Sequence, residues 1–312
     1  MYLITGGAGF IGSHLVERLV GEGQPVRVID NFFTGNRKNL EPFEGRYELV
    51  EASLLDEAAL SRAMQGVEYV LHQAAIPSVP RSIANPKATN EANVSGTLNV
   101  LVAARDAGVK RVVMASSSSV YGDSPTLPKV ETMPTNPKSI YAASKLIGEQ
   151  YARVFHNVFN LSVVCLRYFN VFGPRQDPDS EYAAVIPKFI RMIRAGVSPT
   201  VHGDGLQTRD FTYIDNVVDA NFKAAQAPRA PDGLVCNIAC GERVSIIDLI
   251  DRINSIMGTD IKPEFTENRA GDVKHSLADI TVARDTFGYS PSITLEEGLK
   301  RTEKSQGCVS IR

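Results

Sequence analysis

Tyr2-Leu3-Ile4-Thr5-Gly6-Gly7-Ala8-Gly9-Phe10-Ile11-Gly12 runs from an apolar stretch through a glycine-rich turn into a helical pattern. Gly7, Gly9 and Gly12 give G-x-G-x-x-G, and Gly6, Gly9 and Gly12 give G-x-x-G-x-x-G. Glycines at these spacings allow a tight turn and let backbone N–H groups approach a pyrophosphate. The helix N-terminus behind them favours the anion. The motif gains meaning from its setting. Tyr2 to Ile4 reads as a strand, and Phe10, Ile11, Leu15, Val16 and Leu19 share one face of a helix from Phe10 to Val20. The next apolar run, Val26 to Ile29, ends on Asp30 and Asn31, where an acid can hold a ribose hydroxyl. Asp30 would repel a 2′-phosphate, so NAD is expected over NADP; Arg37 is the counter-signal.

Outward from this unit the pattern repeats. Tyr47 to Val50, Tyr69 to His72, Arg111 to Met114 and Leu161 to Arg167 read as further strands, with helices near Asn90 to Ala107 and Ile140 to Phe155. Strands alternating with helices predict an α/β fold, a Rossmann-type doubly wound parallel sheet. After Phe172 the texture changes. Gly173-Pro174-Arg175-Gln176-Asp177-Pro178-Asp179 is rich in turn residues. An amphipathic helix (Val185 to Ala195), short strands and a helix capped by Ser245 and running to Met257 follow. The expected organisation is a Rossmann domain over 1–172, with later segments returning to it, and a smaller α/β C-terminal substrate lobe over 173–312.

Composition narrows the class. The 312 residues carry 33 Lys+Arg against 35 Asp+Glu, a net charge of -2, so binding to nucleic acid through bulk positive charge is not expected. No apolar run approaches the roughly 18 residues of a membrane span. Met1 leads almost directly into the first strand, so no cleaved leader is expected. The four cysteines do not form a disulfide framework at this length. Cys165 reads as a core residue, Cys308 lies in the polar tail, and the spacing of Cys236 and Cys240 does not suit zinc. A cytoplasmic chain without metal is expected.

The candidate chemistry lies in two places. Tyr141-Ala-Ala-Ser-Lys145 puts Tyr and Lys four residues apart on one helical face. Ser116-Ser117-Ser118-Ser119 follows the strand that begins at Arg111. Doubly wound sheets bind ligands beyond the carboxyl ends of their strands. Hydroxyls there could hold a substrate hydroxyl against Tyr141. Lys145 and a cationic nicotinamide ring would favour the phenolate, making Tyr141 a usable base.

With these motifs in hand, the chain resembles the extended short-chain dehydrogenases/reductases, in particular the NAD-dependent nucleotide-sugar epimerase/dehydratase family. Further matching stretches are His72-Gln73-Ala74-Ala75, Arg167-Tyr168-Phe169-Asn170-Val171-Phe172-Gly173-Pro174, Gln207-Thr208-Arg209-Asp210-Phe211 and Arg269-Ala270-Gly271-Asp272. Within the family it is most similar to the UDP-hexose 4-epimerases that act on UDP-N-acetylglucosamine, through Ser78-Val79-Pro80-Arg81-Ser82 and Tyr182-Ala183-Ala184-Val185-Ile186-Pro187. The resemblance implies that Ser117, Tyr141 and Lys145 form the catalytic triad. It implies an NAD site at Gly6, Gly9, Phe10, Ile11, Gly12, Asp30, Asn31, Ser53, Leu54, Gln73, Ala74, Ala75, Tyr141 and Lys145. For a UDP-sugar substrate it implies Ser78, Arg81, Ser117, Ser118, Ser119, Tyr141, Asn170, Val185, His202, Arg209, Arg269, Asp272 and Ser276. Arg209 and Arg269 match diphosphate-binding arginines, a role suited to planar multi-donor cations. Ser53 departs from the family, which often has an aspartate there against the adenine. A homodimer through packed helices is also implied.

The same resemblance sorts the reactions. Family dehydratases carry an Asp-Glu pair where this chain has Ser118 and Ser119, and family decarboxylases a Glu at the place of Ser119. Both chemistries are therefore disfavoured. A sensor without turnover would have lost the triad, which is complete. What remains is 4-epimerisation of a UDP-hexose through a transient 4-keto sugar. UDP-glucuronate is the alternative substrate, against which Asp177 argues by standing where a cation would be expected. Ser276 matches a gate beside the hexose. A small residue there leaves room for a 2-N-acetyl group, implying UDP-GlcNAc/UDP-GalNAc together with UDP-Glc/UDP-Gal.

Overall fold

The computed structural model describes residues 1–176, 184–228, 233–267 and 274–309. The first half lays down six strands: β1 (Tyr2–Thr5), β2 (Val26–Asp30), β3 (Glu48–Glu51), β4 (Tyr69–His72), β5 (Arg111–Ser117) and β6 (Val163–Tyr168). Between them lie α1 (Phe10–Gly21), α2 (Glu57–Ala63), α3 (Val79–Ala84), α4 (Pro86–Asn90), α5 (Gly96–Asp106) and α6 (Ile140–Phe159). Later come β7 (Val171–Phe172), α7 (Val185–Arg194), β8 (Thr200–His202), β9 (Thr208–Arg209), β10 (Thr212–Tyr213) and α8 (Ile214–Gln226). β11 (Leu234–Ile238), β12 (Val244–Ser245), α9 (Ile246–Met257), β13 (Glu264–Thr266), α10 (Thr281–Phe287) and α11 (Leu295–Val309) complete the chain.

The main sheet has seven strands in the order β11-β6-β5-β4-β1-β2-β3, every pair parallel. Chain order reverses between β1 and β4. At such a switch point the loops leaving neighbouring strands diverge and open a crevice for a ligand. The sheet is covered on both faces, so its strands are apolar on both. Leu3, Ile29, Val70, Val112, Val163 and Cys165 share a core with α2, α5 and α6. Tyr2, Ile4, Val28, Leu71, Val113, Val164 and Leu166 join the other core, which also takes in α1 and α8. The strict alternation between the two sets is the period of an extended strand.

The seventh strand comes from beyond Phe172. β11 pairs with β6 from Leu234↔Val164 to Ile238↔Tyr168. The remaining short strands pair as β7–β10, β9–β12 and β8–β13. Ile186, Phe189, Ile190 and Ile193 of α7 bury one face and reach the α1/α8 core, which also holds Phe172, Phe211 and Tyr213. Ser245 caps α9 as the sequence predicts, its hydroxyl accepting from the Asp248 N–H at 3.0 Å. Cys165 and Cys236 are fully buried. Among the described residues, no helix is long and apolar enough to cross a membrane, and no three His, Cys, Asp or Glu side chains group as metal ligands.

Candidate active site

The glycine loop joins β1 to α1 against the end of β4. A Cβ on Gly12 would lie 2.1 Å from the Gly6 carbonyl oxygen, and one on Gly6, at φ +70, 2.7 Å from the Ala74 Cα. Packing alone forbids a side chain at both. Gly9 differs: its absent Cβ would meet just the Gly6 oxygen, at 3.2 Å. Glycine at position 9 therefore leaves a bare backbone at the start of α1, as close approach of a pyrophosphate requires. Phe10 and Ile11 open α1 half-buried.

Asp30 ends β2 buried beside this loop. Its Oδ2 accepts from the Ala8 N–H at 2.9 Å and its Oδ1 from the Phe32 N–H at 2.7 Å. Burial raises its pKa and these two bonds pull it back. The carboxylate thus holds the loop's shape while keeping lone pairs for a hydroxyl. The counter-signal Arg37 is engaged elsewhere, paired with Glu51 at 2.5 Å and stacked 3.8 Å from the Phe32 ring centroid. Asn31 is exposed and its Oδ1 accepts from the Phe33 N–H. Ser53 starts the turn into α2, its Oγ accepting from the Leu55 N–H at 3.2 Å, and the Leu54 carbonyl is held by Asn99.

Across the switch point, the Gln73 amide is locked to Asn221 (2.9 Å) and Tyr168 (3.2 Å). The Ala74 N–H donates to Thr5 Oγ1. Ala75 is half-buried, and the next residue, Ile76, is gripped at both its N–H and its C=O by Asn93. Asn93 sits in a π-turn (Glu91–Ser95) between α4 and α5, and its Nδ2 also reaches Ser144 of α6. Sequence reasoning did not single out Asn93; such turns interrupt helices frequently at functional sites.

β5 delivers Ser117 to the same crevice. The Ser119 N–H and Oγ both donate to Ser117 Oγ, at 3.2 and 2.9 Å. Ser118 and Ser119 form the first turn of a 3-10 segment beyond it. Ser139 caps α6 by accepting from the Ala142 N–H, which fixes Tyr141 in the first turn. The Tyr141 phenol lies near enough to Ser117 for that hydroxyl to pull its pKa down. Lys145 Nζ donates to the Ala115 carbonyl at 3.0 Å and lies 6.0 Å from the Tyr141 ring centroid. Burial pushes the Lys145 ammonium down to about 8 and raises the Tyr141 phenol above its usual range, against the lowering pull of Ser117. Among the protein's own groups desolvation is the larger contribution, and the lowering expected from the sequence rests on the nicotinamide ring together with Lys145.

A second group assembles around Asp210, between β9 and β10. Asn170, at φ +34, donates through Nδ2 to the Asp210 carbonyl (2.9 Å) and to Ser276 Oγ (3.3 Å). Ser276 Oγ also accepts from the Asp210 N–H at 3.4 Å. Arg209 adjoins them, donating to the carbonyls of Thr208 and Lys274. The Asp210 carboxylate accepts three backbone N–H groups, from Cys240 (3.0 Å), Gly241 (3.1 Å) and Ala278 (3.2 Å). Asn170 and Ser276, from distant segments, thus meet on the Asp210 backbone next to Arg209, and the buried Asp210 carboxylate ties that turn to residues 240, 241 and 278.

The other candidates are more scattered. Ser78, at φ +94, caps α3 and accepts from the Arg81 N–H at 3.5 Å; α3 packs on α6. Val185 opens α7 half-buried. His202 ends β8 exposed and bonded to Thr266. Arg269, Asp272, Asp177 and the Tyr182–Ala183 part of the matching stretch lie outside the described residues.

The model of the NAD dependent epimerase/dehydratase family matches residues 2–239. The UDP-glucose 4-epimerase of Mycolicibacterium smegmatis is 40% identical over 305 residues, covering 96% of both chains. Among solved structures, the UDP-N-acetylglucosamine 4-epimerase of Methanobrevibacter ruminantium M1, in complex with UDP-N-acetylmuramic acid, superposes with a TM-score of 0.94 at 40% identity, covering 99% of this chain and 98% of that one. The UDP-glucuronic acid 4-epimerase of Bacillus cereus, in complex with UDP-glucuronic acid and NAD, gives 0.92 at 32% identity and covers 99% of each. With the family model spanning the whole Rossmann half and relatives matched end to end, this chain belongs to the NAD dependent epimerase/dehydratase family.

Proposed function

We propose that this chain is a UDP-hexose 4-epimerase, an isomerase that inverts the configuration at C4 of the sugar. The observation that carries the reading is the Ser117–Tyr141–Lys145 arrangement at the end of β5, with Ser118 and Ser119 beside it instead of carboxylates. When bound, NAD supplies a hydride acceptor and donor at C4. Gly6, Gly9, Gly12 and Asp30 would hold it, in the cradle described above. Tyr141 takes the 4-OH proton and returns it, Ser117 orients the hydroxyl, and Lys145 holds positive charge below the phenol, fixed by the Ala115 carbonyl. Dehydration needs an acid and a base at C5 and C6, and two serines supply neither. Asn170 and Arg209 are the groups proposed to hold the diphosphate while the hexose turns.

The substrate proposed is UDP-GlcNAc/UDP-GalNAc together with UDP-Glc/UDP-Gal. A small side chain at Ser276, beside Asn170, supports room for the N-acetyl group. UDP-glucuronate is the second reading, favoured by the similarity to a UDP-glucuronic acid 4-epimerase. Incubation of the purified protein with UDP-GlcNAc, UDP-Gal and UDP-glucuronate, with products read by NMR, separates the two. Tyr141→Phe is expected to keep the fold and NAD affinity and to lose about 100-fold or more in kcat; a near-normal kcat would remove Tyr141 as the base.

A further inference from the structure

We infer that Ser116, Glu149 and Arg167 are positioning residues that hold Ser117 and Tyr141 in register by locking α6 to β5. The inference rests on the assignment of Ser117 and Tyr141 above. Tyr141, Lys145 and Glu149 occupy one face of α6 on successive turns. Each meets a different residue of β5, and those three residues are consecutive. Lys145 bonds Ala115, Glu149 Oε1 accepts from Ser116 Oγ at 2.5 Å, and the Tyr141 phenol lies beside Ser117, which lowers its pKa.

Glu149 is held from its other side as well. Arg167 donates through Nε to Oε1 (2.9 Å) and through Nη2 to Oε2 (2.7 Å). Arg167 is the register partner of Ser116 on the neighbouring strand β6. The three residues are 2–4% exposed, so the ions have been taken almost wholly out of water. Desolvation of that kind costs several kcal/mol per ion, and an apolar pair of equal volume often stabilises a fold as well or better. An apolar pair, however, lets a helix slide on its sheet. A bidentate pair with a third directed bond does not. The guanidinium is backed in turn by the Tyr121 ring, 4.7 Å away, whose hydroxyl is bonded to Asn237. So the costly element stands one residue behind Ser117 and two turns beyond Tyr141, where a slip would separate the reacting pair.

The test reads Tyr141 without substrate. In NAD-loaded protein labelled with 3-fluorotyrosine, the Tyr141 resonance is assigned by Tyr141→Phe and titrated by 19F NMR. The groups facing this phenol are Lys145 on its own helix, Ser117 on β5 and Tyr168 on β6. Ser116→Ala removes one hydroxyl and leaves the ion pair whole. Because the Ser117 hydroxyl lowers the Tyr141 pKa, its loosening should shift the resonance and raise the midpoint by about half a pH unit. In the same protein kcat should fall about tenfold or more while KM and NAD affinity stay within about twofold, since displaced catalytic groups cost rate and not binding. Ser116→Thr, which restores the hydroxyl, should recover both. An unmoved Tyr141 titration in Ser116→Ala overturns the inference, as does a loss confined to Tm. A shifted titration in a protein whose wild type turns over no UDP-hexose supports the positioning role and defeats the proposed function instead.

Discussion

Asp210→Asn is expected to destabilise the protein most in acid and least near neutrality, the reverse of what a charged hydrogen-bond acceptor suggests. Asp210 is completely buried, and burial lifts its carboxyl to about 6 against the lowering pull of three backbone N–H groups. The nearby Glu242 adds a smaller raising contribution. A folded-state pKa above the unfolded value means that the folded chain holds the proton more tightly. Between the two values the unfolded state binds fewer protons, so stability falls as pH rises through that window. From the ordinary 3.8 to about 6, this one group removes about 3 kcal/mol, at 1.36 kcal/mol per unit. The asparagine never ionises and escapes that loss. It has its own defect: one oxygen now serves where two did. If that oxygen keeps Gly241 and Ala278, the amide NH2 faces the Cys240 N–H, an unsatisfied donor worth about 1–3 kcal/mol. Urea unfolding of both proteins across the pH range measures the difference. The gap should close by about 1.4 kcal/mol between about pH 5 and about pH 7.5. A gap that stays flat, or widens with pH, would refute the reasoning, because the three donors would then be holding Asp210 ionised at low cost.

Glycine substitutions should divide sharply by position. Gly12→Ala puts a Cβ 2.1 Å from the Gly6 oxygen and should cost about 1–3 kcal/mol and most NAD affinity, whereas Gly21→Ala meets nothing within 4 Å and should stabilise by about 0.5–1 kcal/mol; calorimetry of NAD binding with thermal melts compares the two, and equal affinities would contradict the cradle. Ser276→Tyr should depress turnover of the N-acetylated UDP-hexoses selectively, by about tenfold or more. Ser276→Ala separates size from the hydrogen bonds that Asn170 and Asp210 make to this hydroxyl, and an equal loss on UDP-Gal in Ser276→Tyr would discredit Ser276 as a gate.

The parts of the molecule legible in the sequence are those whose partners lie close in the chain or whose period is fixed by backbone geometry. The glycine loop and the helix behind it are contiguous, so their spacing carries their shape. The parallel strands alternate between two apolar cores, and both faces being buried makes each a nearly continuous apolar run, as in Val163 to Leu166. Tyr141 and Lys145 are four apart on one helix, so their shared face follows from 3.6 residues per turn. What such periodicity cannot encode is the identity of a partner across the fold. Nothing local in Thr208-Arg209-Asp210-Phe211 announces that Asp210 will accept from residues 240, 241 and 278.

This division also separates two kinds of polar residue. Ser117, Tyr141 and Lys145 are half-buried and commit only part of their hydrogen-bonding capacity to protein groups. Glu149, Arg167, Asn93 and Asp210 spend theirs almost wholly on protein groups. In sequence both kinds look like polar interruptions of an apolar pattern, and a resemblance motif sweeps in both: Arg167 and Asp210 lie inside matched stretches, yet both are buried and the bonds they make go to protein groups, Arg167 Nη1 alone having none. Burial and saturation distinguish them. A buried polar side chain with its bonds satisfied by protein is a fastener, and its substitution should act on stability and on the geometry of its neighbours. A half-buried one such as Tyr141, beside Ser117, is where the proposed proton transfer would occur. The near-neutral total charge conceals this arrangement, because a fastener such as the Glu149–Arg167 pair cancels in the sum. The charge proposed to meet a diphosphate, on Arg209, is held locally, donating to the carbonyls of Thr208 and Lys274, and no whole-chain count could have located it.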